Sequence, residues 1–534
     1  MSKIISKRPR VYLYDSTLRD GAQTSTVNFS VQNKIQIAKM IDDLGIDFIE
    51  GGWPGANPID DDFFNNLPSL KKSQFVAFGM TRRVNSSAGN DNALNALINS
   101  PAQSICIVGK CWDFHLSHAL HITAQENLSM IEDSIRQITK KNKLAMFDAE
   151  HFFDGYKSSP EFAIEVVKTA YKAGARWIIL CDTNGGTLPF EIKQIVSEVI
   201  KHIPGENLGI HCHNDTENAV ANSISAVEAG VRQIQGTING LGERCGNANL
   251  ISIIPILALK LNYDIGIDQS QLKNLTKISH FLDDILNKDS NKFAPFVGKF
   301  AFAHKGGLHV SAVAKNAKSY EHIDPELVGN KRLIMVSNQA GKSNIINRLQ
   351  QINLIKDSEE FNNKINDLVN LVKDLESQGY AYDSADASFE ILAKKTLSIV
   401  PNYFELVSFS IVDNRSHDKN GSPIISATAN IEIKINGDLH KSFATGNGPV
   451  NALDTALRFA LAKQYPMLKN IRLCDYKVRI LTPSDGTQAI TRVQIESSDE
   501  NNNRWTTIGV SQNIVDASFR ALQDSMIYCL MKKL

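Results

Sequence analysis

Eight short runs rich in β-branched and aromatic residues recur at even spacing through the first 240 positions, and this rhythm limits the fold more than any other feature. They are VYLYDST (11–17), FIEGG (48–52), FVAFG (75–79), SICIVG (104–109), LAMFDAEH (144–151), WIILCDT (177–183), LGIHCHN (208–214) and QIQGTING (233–240). Helical patterns fill most of the gaps. SVQNKIQIAKMIDDLG places apolar residues near i, i+3 and i+4 and closes on glycine, and SPEFAIEVVKTAYKAG and TENAVANSISAVEAG repeat that design. Alternating strand and helix implies a parallel sheet, and eight units in about 250 residues is the size of a (β/α)8 barrel. A doubly wound open sheet is the competing arrangement, but no G-x-G-x-x-G follows the first run. The expected fold class is therefore α/β, with a TIM barrel over 1–262.

Active sites of such barrels sit at the C-terminal ends of the strands. The polar residues there are Asp15, Arg19 and Asp20 after the first run, and Asp148 and Glu150 at the fifth. Asp182 and Thr183 follow the sixth, His211, His213 and Asp215 the seventh, and Glu243, Arg244, Asn247 and Asn249 the eighth. Each alone reads as a solvated strand end. Together they bring carboxylates, imidazoles and amides from five strands to one rim. His211 and His213 are two apart, so on a strand they share a face, roughly 7 Å apart at Cα, while Cys212 points outward to the helices.

Two imidazoles with a carboxylate and an amide oxygen form a mixed N/O set, suited to a divalent ion such as Mg2+, Mn2+ or Zn2+ with open positions. One aspartate on a dication leaves a net positive site, and Arg19 adds to it. Such a site attracts a small anion, for example a 2-oxo acid, and the ion would polarise its carbonyl.

The charge balance narrows the function further. Lys+Arg and Asp+Glu are 57 each, which argues against a nucleic-acid or membrane-surface binder. Seven cysteines without a C-x-x-C pair fit reduced thiols, and the basic start MSKIISKRPR lacks the apolar core of a secretory signal. A cytoplasmic location is expected. The longest apolar stretch, LISIIPILAL, is too short to span a bilayer.

YDSTLRDGAQ (14–23), HCHND (211–215) and NGLGERCGNANL (239–250), in that order, resemble the DRE-TIM metallolyases. The match is to the acyl-CoA-condensing branch, which includes 2-isopropylmalate, homocitrate and citramalate synthases, and covers essentially the whole chain. IEGGWPGANPIDDDFF (49–64) and DAEHFFDGYK (148–157) are similar to the long-chain (R)-citramalate synthases in particular. The resemblance implies Asp20, His211, His213 and Asn247 as metal ligands, and Arg19 at the keto oxygen. It implies Glu150 and Thr183 around the reacting groups, with His309 as base and Tyr320 as its helper in a segment reaching over a partner's site. His304 stays open as the rival base. The implied reaction is a Claisen-type condensation of acetyl-CoA with pyruvate and thioester hydrolysis, in isoleucine formation. Condensation with 2-oxoisovalerate, as in 2-isopropylmalate synthases, is the alternative acceptor chemistry. A non-catalytic amino-acid sensor on the same scaffold is the alternative from another class.

Residues 263–400 read as helical and polar, with FNNKINDLVNLVKDLESQGY an amphipathic helix. Beyond 401 strands return: ATANIEIKINGDLHKSFATG reads as a hairpin around Asn436-Gly437, and a helix starts at Pro449. QAITRVQIESSDENNNRWTTIGVS and NIVDASFRALQDSM repeat the pattern. The duplicated 401–534 module resembles the regulatory domain of isopropylmalate synthases, implying a homodimer and isoleucine as feedback inhibitor; a dimer clamp without ligand is the other reading. The carboxylate of the effector is expected at glycine turns around Gly446–Gly448 and Gly509. Gly341-Lys342-Ser343 is a decoy: it lacks the P-loop's first glycine, since Val336 stands there. The 111–115 loop, CWDFH, follows the fourth run and reads equally as a contributor to the pocket or as a purely structural loop.

Overall fold

A computed structural model of the chain describes residues 8–304, 309, 312–313, 315–334, 342–352, 354, 359–500 and 502–533. Two compact units emerge, one comprising the described residues up to Phe302 with Ile323–Arg332, the other the remainder.

The first unit is a closed parallel barrel. Its strands are β1 (Tyr12–Asp15), β2 (Phe48–Gly52), β3 (Gln74–Met80), β4 (Ser104–Lys110), β5 (Leu144–Glu150), β6 (Trp177–Asp182), β7 (Leu208–Cys212) and β8 (Gln233–Gly236). Closure comes from β8 pairing β1 in the register Tyr12↔Gln233 to Asp15↔Gly236. All eight fall within the runs legible in the sequence or one residue beyond them, and they close into a barrel rather than a doubly wound sheet.

The two-residue alternation sorts the side chains. Tyr14, Phe48, Val76, Cys106, Met146, Trp177 and Ile179 point into the barrel and pack on one another. Leu13, Ile49, Ala77, Ile105, Phe147, Ile178, Leu180 and Ile210 point out into the helical layer. Cys212 is fully buried in that outer layer, as the alternation predicts. Gly109 on β4 is needed because a Cβ there would lie 2.7 Å from the Phe147 ring.

Local signals fix the helix ends. Val31–Leu44 begins with a capping box, Ser30 Oγ accepting from Asn33 N, and ends on Gly45 at φ +94°. Ala219–Ala229 ends on Gly230 at φ +126°. Lys34, buried on the first helix, donates to Gly51 O at 2.9 Å and pairs with Asp60. Asp60 also accepts from Trp53 N at 2.8 Å, so the β2 exit loop is tied to that helix.

The second unit carries the amphipathic helix Glu359–Ser377, with Ile365, Leu368 and Val372 buried, and then a duplicated βββα module. Its first copy is Glu405–His417, Pro423–Ile435, Asp438–Gly446 and helix Pro449–Leu461. Its second copy is Arg472–Ile480, Thr491–Ser498, Arg504–Ser511 and helix Ile514–Lys533. Asn436 (φ +52°) and Gly437 (φ +90°) form the expected hairpin turn. One expectation is corrected: Gly509 is not in a turn but inside a strand, opposite Val493. A Cβ there would lie 2.0 Å from Ala517 O, so the glycine lets strand and helix touch. Among the described residues, no helix is long and apolar enough to cross a membrane.

Candidate metal centre and active site

His211 is the fourth residue of β7 and His213 follows its end, so both imidazoles face the C-terminal mouth. Their Nε2 atoms are 3.3 Å apart. Asp20 reaches them from the turn after β1, with Oδ2 3.4 Å from His211 Nε2 and 3.8 Å from His213 Nε2. All three are buried.

The loop after β8 completes the set. Gly246 adopts φ +91°, and a Cβ on it would lie 2.0 Å from Gly240 O. That tight crossing brings Asn247 into a β-bridge with His213. Asn247 Nδ2 is committed to Leu241 O at 3.2 Å, which leaves its Oδ1 buried without a partner. Asp20 Oδ1 is likewise buried and unpartnered.

The charges are tuned to match. Burial works against the Asp20 carboxylate, but Arg19 and the two imidazoles outweigh it and hold the group well below the usual carboxylate range. Burial, followed by the charge of His211, pushes His213 down to about 4; burial works the same way on His211, but the hydrogen bond and charge of Asp20 outweigh it and hold that ring above the usual imidazole range. A neutral imidazole keeps the lone pair that ligation requires. Two ring nitrogens, a carboxylate and an orphaned amide oxygen therefore fit a divalent ion.

Arg19 stands beside this cluster. Its Nε donates to Glu50 Oε2 at 2.8 Å, its NH1 is 3.5 Å from Asp20, and its guanidinium lies 3.9 Å over the Phe78 ring. Glu50 also accepts from Tyr14 Oη at 2.7 Å and from Ser16 Oγ. Glu50 is fully buried, and the strand pattern does not single it out. The available signal is a lone carboxylate inside FIEGG; its partner lies 31 residues earlier and is brought near only by β1–β2 pairing.

Glu150 ends β5 and pairs with Lys110 from β4. Thr183 Oγ1 accepts from His151 N at 2.9 Å, and Thr183 O accepts from Arg244 at 2.8 Å. Arg244 also grips Asp215 at 2.7 and 2.9 Å, bracing the loops after β6 and β7. Several rim residues turn away from the cluster. Asp15 caps its own turn through Thr17, and burial pushes it up to about 7. Asp182 is taken by Thr187, and Asn249 caps helix Leu250–Pro255.

His309 and Tyr320 belong to the second unit, where both are exposed and their rings stack 4.2 Å apart at 29°. The rival His304 is buried, with Nε2 3.2 Å from Glu321 Oε1. Residues 305–308, 310–311 and 335–341, including Gly341 of the G-K-S decoy, lie outside the described residues.

Comparison with known proteins adds three family matches in register with this architecture. The HMGL-like family matches residues 10–280, the homocitrate synthase post-HMGL domain-like family 296–378, and the LeuA allosteric (dimerisation) domain 383–530. An (R)-citramalate synthase of Aquifex aeolicus is 47% identical over 525 residues, covering 98% of this chain and 98% of that protein. The (R)-citramalate synthase of Geobacter sulfurreducens is 48% identical over 524 residues, again 98% of each. A 2-isopropylmalate synthase of Methanocaldococcus jannaschii is 31% identical over 540 residues, covering 98% of this chain and 95% of that protein.

Proposed function

The chain belongs to the HMGL-like family and, within it, to the (R)-citramalate synthases, and on that footing we propose how its barrel condenses acetyl-CoA with pyruvate to give citramalate and CoA. The observation that carries the reading is the meeting of Asp20, His211, His213 and the orphaned Asn247 oxygen beside a clamped Arg19. Asp20, His211, His213 and Asn247 hold a divalent ion, one of Mg2+, Mn2+ or Zn2+. When bound, that ion supplies Lewis-acid polarisation of the acceptor carbonyl.

The remaining steps fall to the chain's own residues. Arg19, fixed at Nε by Glu50, keeps its terminal nitrogens for the keto oxygen and stabilises the alkoxide as charge develops there. Glu150 and Thr183 line the place where the acetyl methyl and the 2-oxo acid meet. A base removes a proton from the methyl group, a step in which a positioned group typically contributes ~10²–10⁴-fold. His309, with Tyr320 stacked on it, is that base and comes from the partner of a homodimer. The resulting carbanion attacks the keto carbon, the new C–C bond forms, and the alkoxide takes a proton. Water then cleaves the thioester and releases CoA.

The C-terminal module gives dimerisation and allosteric control, supported by the LeuA domain match and the duplicated βββα units. Isoleucine is its effector, and the pathway served is isoleucine formation. The effector site narrows to the Gly448 end of helix Pro449–Leu461: an added Cβ meets nothing within 4 Å at Gly448, whereas one at Gly446 would meet Ala452 N at 2.6 Å. The seven cysteines are all free thiols, which suits a reducing cytoplasm. CoA release from acetyl-CoA across a panel of 2-oxo acids, with and without added metal, tests the whole reading. Pyruvate as the preferred acceptor supports it; preference for 2-oxoisovalerate would make the chain a 2-isopropylmalate synthase. No turnover with any acceptor would make it a sensor.

A further inference from the structure

An imidazole can ligate through Nε2 only while the ring's proton sits on Nδ1, so the group facing Nδ1 decides what Nε2 can do. For His211 that group is the side-chain amide of Gln235 on β8, whose Oε1 is 2.9 Å from Nδ1. The two residues are paired in the β7–β8 register. The amide alone does not settle the tautomer. Turned over, it would offer its NH2 to Nδ1 and drive the proton to Nε2.

Asp148 removes that choice. From β5, across the barrel interior, its Oδ1 accepts from Gln235 Nε2 at 3.1 Å. Cys106 Sγ donates to the same oxygen at 3.1 Å. A carboxylate accepts and does not donate, so a flipped amide would set oxygen against oxygen between two buried side chains. Packing does not call for these polar groups. The neighbouring inward-facing residues Met146, Trp177 and Ile179 are apolar, and a polar pair among them is costly unless fully bonded.

We propose that Gln235 and Asp148 are positioning residues which fix the His211 tautomer: Asp148 orients the Gln235 amide, the amide holds the proton on Nδ1, and Nε2 faces Asp20 and His213 with its lone pair free. This rests on the reading of Asp20, His211 and His213 as metal ligands.

The test is Co2+ titration of the full-length, chelator-stripped protein, followed by its visible absorption, beside steady-state kinetics. Gln235→Leu and Asp148→Leu are each expected to weaken Co2+ binding roughly 10–100-fold, the usual effect of losing such an outer partner. KM for acetyl-CoA should not move. The swapped pair Gln235→Glu with Asp148→Asn should bind Co2+ within about threefold of the unsubstituted protein. There the carboxylate at 235 accepts from Nδ1–H and the amide at 148 donates to it. A merely volume-filling role would favour the leucines over the swap. Gln235→Leu binding Co2+ as tightly as the unsubstituted chain would overturn the proposal. So would a folded swap variant as weak as the leucine variants, which also carries the test if those do not fold. His211→Ala is the control: unchanged Co2+ binding there would mean the ligand reading itself has failed.

Discussion

Arg19 Nε donates to Glu50 Oε2 at 2.8 Å, and this bond aims a cation at the Asp20–His211–His213 cluster. Hydrogen bonds to charged groups are worth about 1.5–3 kcal/mol. Glu50→Gln keeps the shape but cannot satisfy Tyr14, Ser16 and Arg19 together. Its kcat should fall roughly 10–100-fold, with little change in KM for acetyl-CoA. Steady-state kinetics on the folded variant checks this, and an unchanged kcat would show that the clamp is not used.

Lys34 and Asp60 form a pair with side chains only 4% and 11% exposed. Lys34→Met leaves the Asp60 carboxylate buried without its cation, which typically costs about 3–5 kcal/mol. Adding Asp60→Asn should recover much of that loss. Denaturant titration of the two variants measures it; equal stability of both would mean the pair is not coupled.

Subunit complementation follows from placing His309 over a partner's barrel. Inactive His309→Ala chains mixed with inactive Asp20→Ala chains should regain activity, because a hybrid dimer holds one intact composite site. Subunit exchange is confirmed by mass spectrometry. No recovery after exchange would put the base within its own chain, or on His304.

Isoleucine should inhibit by binding beyond residue 401, with coupling of the usual ~1–3 kcal/mol, or about 5–150-fold. Gly448 has φ −176°, an extended backbone any residue adopts, so Gly448→Val should fold and turn over normally. It should lose most of its isoleucine sensitivity. Calorimetry that detects no isoleucine binding to the unsubstituted enzyme would reduce the module to a dimer clamp.

Much of the fold and of the Asp20–His211–His213 cluster is legible in the sequence because the information is local. Alternation along 208–214 is enough to send His211 and His213 inward and Cys212 outward, and terminal glycines mark the ends of helices such as Val31–Leu44. Partnerships formed by barrel closure are not legible. Glu50 meets Arg19 through β1–β2 pairing, and Gln235 meets Asp148 across the interior, 87 residues away in the chain. The first strand of each C-terminal unit, Glu405–His417 and Arg472–Ile480, carries a two-residue apolar rhythm, in Val407, Phe409 and Ile411 and in Tyr476, Val478 and Ile480, yet its residues are all exposed or only half-buried, so the rhythm does not mark a buried core face there. The closing glycine of the second unit misleads for the opposite reason: Gly509 serves a close strand–helix approach, which looks the same in sequence as a turn.

CoA released from acetyl-CoA with pyruvate or 2-oxoisovalerate as acceptor, before and after stripping and restoring the divalent ion, reads out both the acceptor and the metal dependence of the barrel. A much higher kcat/KM with pyruvate is expected, with loss of turnover on stripping, its return on adding metal, and no such return in His213→Ala. Preference for 2-oxoisovalerate, or full turnover in stripped His213→Ala, would contradict it.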